Sequence, residues 1–166
     1  MQLERFPQHH NRDLMLAAVS SLPAAEGPAA SLGRDFILFL ALDATSQDPT
    51  ELEEFARHCL AVGACYVCAW GPGCSAVHVI FDFAYIDAEE QFSMRRGWTD
   101  ADTVLTTWHE DESLESALWF AAMAAYPTDA FGADTFLAVV VANSDWAERV
   151  RAGLRDPEAL FDGLEE

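Results

Sequence analysis

The chain has no lysine. All nine of its basic residues are arginine, set against 28 aspartates and glutamates. That absence removes a Schiff-base lysine, a phosphate-loop lysine and any lysine general base, and several enzyme classes go with them. GC-rich coding, which also suits the abundant alanine, is the plain explanation, with selection against lysine-directed modification as the alternative. The scarcity of positive charge leaves a formal net charge of -19 and a pI near 4.3. Such a field repels nucleic-acid phosphate and anionic lipid headgroups, so no nucleic acid and no membrane is expected as partner. Basic proteins and cations suit it, although acidity also serves solubility alone.

Long hydrophobic runs are missing too. Nothing approaches the length that spans a membrane. The short run Leu14-Met15-Leu16-Ala17-Ala18-Val19 follows Glu4 and Asp13 rather than the basic segment of a secretion signal. A cytoplasmic location is therefore expected. Cysteine occurs four times, at positions 59, 65, 68 and 74. Cys65 and Cys68 fall in an expected strand, where residues three apart face opposite ways, so they do not chelate one ion together. Cys59 falls on the apolar stripe of a helix. Three of the four read as core, in a reducing compartment.

What remains is a chain of 166 residues with 51% hydrophobic content, enough for one domain with its own core. Residues 11 to 20 read as a short helix, and 21 to 33, rich in Ala, Pro, Ser and Gly, as a linker or arm. This divides the chain into an N-terminal helix and arm over 1–33 and a single α/β domain over 34–166. Phe36 to Leu42 is apolar without alternation, as a parallel strand covered on both faces would be. Asp48-Pro49-Thr50-Glu51 supplies a cap, a first-turn proline and an acid three residues after the cap. Leu52, Phe55, Ala56, Cys59 and Leu60 follow at the spacing of one buried helical face, with Gly63 at its end.

Cys65 to Trp70 reads as the second strand. Cys74 to Ile86 reads as a helix, because Ser75, His78, Asp82 and Tyr85 recur on one face. The polar stretch 87 to 102, with Arg95, Arg96 and Trp98, yields no assignment. Thr103 to Trp108 and Thr135 to Val141 read as further strands, followed by helices from Ser113 and from Asn143 or Ser144. This alternation predicts a three-layer α/β domain, flavodoxin-like or Rossmann-like, with a central, mostly parallel sheet of four or five strands.

In such a sheet the carboxyl ends of the strands share one edge, where ligands dock. Three strands end there in chemically distinctive crests: Asp43 after the first, Trp70-Gly71-Pro72-Gly73-Cys74 after the second, and Thr107-Trp108-His109 after the third. Asn143 follows a fourth. Asp43, Trp70, Gly71, Gly73, Thr107, Trp108, His109 and Asn143 are the expected ligand-binding residues. Cys74 as nucleophile, His109 as base and Asp43 as its orienter are the catalytic candidates. Glu110 and Asp111, beside His109, suit acid or base work near neutrality. The same residues also serve as packing, as a bracing edge and as the acidic start of a helix. A metal reading that gathers Asp43, His109 and Glu110 or Asp111 has no spacing motif behind it, and His9-His10 reads as solvated; no metal and no cofactor is expected. Nucleotide grips are missing, since Gly71-Pro72-Gly73 is not GxGxxG. Trp70 and Trp108 could still stack a flat ring, with Arg95 or Arg96 meeting an anion.

The Trp70-Gly71 pair, the Thr-Thr-Trp-His crest and the Glu-Ser-Leu-Glu-Ser-Ala-Leu-Trp helix resemble a small bacterial family of uncharacterised α/β proteins, over residues 34 to 155. The resemblance implies an α/β fold and bacterial origin, and no activity. The expectation for function is a small acidic accessory or regulatory protein that binds a basic protein partner, immunity- or defence-type in character. The alternative is an enzyme or small-ligand sensor that uses the Cys/His/Asp pocket.

Overall fold

Phe36, Ile37, Leu38, Phe39, Leu40 and Ala41 are all buried, as they are in a strand covered on both faces and flanked on both sides. A computed structural model of the chain describes residues 3–96, 103–128, 131–132 and 134–164, without the side chains of 88–96, 161, 163 and 164. In it this strand, β3 (Phe36–Ala41), lies between β4 (Ala64–Trp70) and β6 (Thr135–Val141), parallel to both. β5 (Leu105–Trp108) continues the sheet beyond β4. On the other side β2 (Arg12–Val19) pairs parallel with β6, and β1 (Glu4–His9) closes the sheet antiparallel to β2. The order is β1-β2-β6-β3-β4-β5: six strands, mostly parallel, rather than four or five.

The additional strands come from the segment expected as a helix and arm. Residues 12–19 form β2 because the run Leu14 to Val19 is apolar on both faces and the strand lies between β1 and β6. A short continuous apolar run suits a buried strand and a buried helix equally, and sheet pairing overrides the helical preference of its alanines. The turn joining β1 to β2 is His10-Asn11, with φ of 48° and 63°, the left-handed pair of a two-residue hairpin. The expected arm is packed down as well. Leu22, Ala25 and Ala29, the last on α1 (Glu26–Ser31), are buried in the same core as Leu38 and Leu40, so the boundary drawn at residue 34 falls inside one sheet.

Two apolar clusters cover the two faces. Met15, Leu38, Leu40 and Val139 pack with α1, α2 (Pro49–Val62) and α3 (Cys74–Arg96). Leu16, Ile37, Phe39 and Phe136 pack with α4 (Leu114–Trp119), α5 (Ser144–Arg155) and α6 (Pro157–Leu164). Each such Phe or Leu contributes about 1.5–3 kcal/mol by leaving water. α2 has the expected start and face. The Asp48 carboxylate accepts from the Thr50 N–H at 2.7 Å, Pro49 follows, and Leu52, Phe55, Ala56, Cys59 and Leu60 are buried. Cys65 lies in one cluster and Cys68 in the other, as the strand period requires, and all four thiols are free and buried.

α3 runs on to Arg96, beyond the expected end at Ile86. α4 loosens after Trp119 into a π-helical turn, Phe120–Ala124, whose end is closed by the Ala125 N–H donating to Phe120 O at 2.9 Å. The Arg12 guanidinium caps that turn, donating to Ala122 O at 2.6 Å and Ala125 O at 2.9 Å while lying over the Tyr126 ring. Carbonyls left without partners at a helix end find them on a buried cation.

Candidate functional site

Because β3, β4, β5 and β6 are parallel, their carboxyl ends do share one edge of the sheet. Each expected residue there has a definite local partner. Asp43 starts a single 3₁₀ turn, its carboxylate accepting from the Thr45 N–H at 3.0 Å and the Ser46 hydroxyl at 3.0 Å. Hydrogen bonds from the Thr45 and Ser46 hydroxyls hold its carboxyl below the usual carboxylate range. Asn143 caps α5 by accepting from the Trp146 N–H at 3.0 Å. The Gly71-Pro72-Gly73 crest clasps the end of β3: the Leu42 N–H donates to Trp70 O at 3.1 Å and the Ala44 N–H to Pro72 O at 2.8 Å. A Cβ on Gly71 would sit 2.0 Å from Leu42 O, so this glycine admits the neighbouring chain.

The two tryptophans diverge. Trp108 pairs across the sheet with Ala69, not with Trp70, so the rings lie on opposite faces and cannot hold one flat ring between them. Trp70 donates its indole N–H to Glu112 O at 2.8 Å and meets Trp146 edge to face. Trp108 lies against His78 of α3, ring centres 4.3 Å apart. Arg95 and Arg96 end α3, but their side chains, like all of Trp98, lie outside the described residues.

His109 is almost fully buried, and both its ring nitrogens are engaged: Nε2 with the Thr107 hydroxyl and Nδ1 with the Glu112 carboxylate, each at 3.0 Å. Its acidic partner is thus Glu112, not Glu110 or Asp111, because the chain turns before α4 and brings position 112 back. Cys74 has no exposed surface, and burial pushes its thiol pKa up. A thiol kept protonated is a poor nucleophile. Asp43, with its carboxylate on Thr45 and Ser46, orients its own turn.

A second polar group, which the sequence marked only as one face of α3, forms on the other side of β5. The Thr106 hydroxyl meets His78 Nδ1 at 2.6 Å and donates to the Asp82 carboxylate at 2.6 Å. This sets the polar row of α3 against the edge strand β5, while Cys74, Val77, Phe81 and Ala84 pack into the core and Val79, Phe83 and Ile86 are left outward, 48%, 63% and 61% exposed. Trp108 and Leu105 of the adjoining strand are also exposed. An ordinary surface helix hides its one apolar stripe, whereas α3 buries one and carries a second in the open.

At the opposite, amino edge of the sheet lies a cavity of about 780 Å³, bordered by Trp119, Met123 and Tyr126 and by His9, His10 and Glu158. Sequence reasoning missed it because the His-His-Asn turn signal has meaning only once 4–19 is recognised as a hairpin.

Fold and site together define a small α/β protein with a six-stranded, mostly parallel sheet, a packed carboxyl edge and an apolar outer helix face. The chain belongs to a family defined by a domain of unknown function (DUF7684), which matches residues 14–157. A search of the curated proteins finds no match. No helix among the described residues is long and apolar enough to cross a membrane.

Proposed function

We propose that this protein acts by binding, as a small acidic accessory or regulatory protein of the bacterial cytoplasm, immunity- or defence-type, that engages a basic protein through the outer face of α3 and the adjoining β5. The observation that carries this reading is the outward apolar stripe Val79, Phe83 and Ile86 beside Trp108, since contiguous exposed apolar side chains mark interaction surfaces. Its surroundings select the occupant. Asp82 and Asp87 lie on the same helix and Glu110, Asp111 and Glu112 follow β5, all within a chain of net charge -19. That field accelerates encounter with a basic partner and opposes docking of a second, equally acidic copy.

The test compares the wild-type chain with a Val79→Ser, Phe83→Ser double variant, whose altered side chains are exposed and leave the core intact. The expected result is a basic protein captured at low ionic strength by the wild type, released by high salt, and bound at least tenfold more weakly by the variant when titrated as a purified component. Equal binding by the variant, or a complex indifferent to salt, overturns the reading. Dimerisation of the wild type at neutral pH, where the net charge is fully developed, that the double variant abolishes would overturn it in favour of self-association.

One observation favours a second reading. Ala142, directly before Asn143, holds a left-handed φ of 55°, and β3 and β6 are the neighbours at which the chain's connections part. In a flavodoxin-like or Rossmann-like sheet, the finer fold reading that goes with this alternative, a small ligand docks at that junction, beside Asp43 and Asn143. Thermal stabilisation by a nucleotide or inorganic phosphate, lost in an Asn143→Ala variant, is the measurement that would favour it.

A further inference from the structure

Neighbouring residues of a strand point to opposite faces, so consecutive histidines do not ordinarily reach one point. At the tip of the β1–β2 hairpin they do. His10 occupies the left-handed region, with φ of 48°, which breaks the alternation and brings its ring to 4.2 Å from that of His9, centre to centre. Glu158, near the start of α6, meets them from the other side. One ligand atom from each of the three lies within 4.8 Å of the other two.

We propose that His9, His10 and Glu158 form a binding site for a divalent transition-metal ion of the zinc type, with its remaining coordination positions open to the cavity beside Trp119 and Tyr126. Two imidazoles and one carboxylate are the donors that such ions take, and three protein ligands leave positions for water or a bound molecule. On a tetrahedral zinc ion with ligand bonds of about 2.0 Å, donor atoms sit about 3.3 Å apart, so small side-chain rotations suffice to close the site.

The two halves are held independently. The hairpin is fixed by β2, which pairs with both β1 and β6. α6 is fixed by Leu160, buried in the second core cluster, and by its own cap, in which the Asp156 carboxylate accepts from the Ala159 N–H at 3.1 Å. Asp162, one helical turn after Glu158, borders the same cavity and can complete the ligand set or accept a hydrogen bond from a bound imidazole. Arg12 also borders the cavity, but its guanidinium is turned onto the carbonyls of Ala122 and Ala125 and the face of Tyr126. The net charge of the chain draws cations toward it.

The experiment titrates the untagged, chelator-treated chain with zinc chloride, and in a parallel arm with magnesium chloride, by calorimetry. The four thiols are buried and do not compete while the protein is folded. The expected result is one zinc ion per chain at micromolar or lower Kd, at least a hundredfold preference over magnesium, and a higher Tm with zinc. His9→Ala and Glu158→Gln should each weaken zinc binding at least tenfold while leaving the metal-free Tm unchanged. Absence of zinc binding, or wild-type affinity in Glu158→Gln, which would reduce the site to an exposed histidine pair, overturns the proposal.

Discussion

At Gly71 a single methyl group would meet a backbone carbonyl: the added Cβ falls 2.0 Å from Leu42 O, at a φ of +117° that L side chains rarely adopt. Neither backbone can yield without breaking the clasp between the ends of β3 and β4. Gly71→Ala is therefore expected to cost about 3 kcal/mol or more, read as a lowered urea midpoint. Ala142 is the converse case. Its left-handed backbone costs about 1–2 kcal/mol, and glycine would relieve this while restoring about 0.4–1 kcal/mol of chain entropy to the unfolded state. Ala142→Gly should thus raise stability by about 0.5–1 kcal/mol in the same denaturation experiment. Cys74 was legible from its neighbours as a candidate nucleophile, but its burial was not, because burial depends on which loop crosses above it. Thiol-specific reagents should label Cys74 only at the rate of unfolding, and fast labelling in the native state would contradict its placement.

Among the elements, the β1–β2 hairpin and the π turn after α4 depend on contacts between distant parts of the chain. Arg12 caps the turn from more than a hundred positions away, and its loss leaves two carbonyls without their charged donor. Arg12→Ala should cost at least about 2 kcal/mol in thermal unfolding. β1 is tied to α5 by the Glu4 carboxylate, which accepts from Arg151 Nε and Nη2, and the Arg151 hydrogen bond holds the Glu4 carboxyl below its ordinary 4.5. Glu115, bound by Arg149, is lowered in the same way. A carboxyl with a depressed folded pKa adds stability that is complete above its unfolded value and disappears as pH falls through the folded one. Both pairs are a third or more exposed at the carboxylate, so each contributes under about 1 kcal/mol after screening. Stability should decline as pH drops below 4.5, with a shallower slope in Arg151→Ala, measured by urea denaturation between pH 6 and pH 3. α2 was legible to the residue, since its cap, proline, stripe and terminal glycine are all local signals. β2 was not: its six residues of mixed Leu, Met, Ala and Val carry no period, and only pairing with β6 decides their conformation.

For the molecule as a whole, charge and shape act against each other. Arg12, Arg34, Arg57, Arg149 and Arg151 are all engaged within the fold, so these five of the nine cations serve structure while the chain keeps its large excess of acid. Repulsion between copies fades as pH approaches the pI near 4.3, while the apolar stripe of α3 stays exposed. Light scattering should show reversible self-association near that pH, reduced in Phe83→Ser. The amino-acid order by itself determined the acidic field, the buried central strand, the parallel alternation and the best-capped helix, because each rests on composition or on signals within a few residues of one another. Only the tertiary structure decided that the amino-terminal segment joins the sheet, that Trp70 and Trp108 part to opposite faces, and that His9, His10 and Glu158 meet. Those outcomes depend on strand pairing and on which helix covers which face, and pairing free energy belongs to two segments at once.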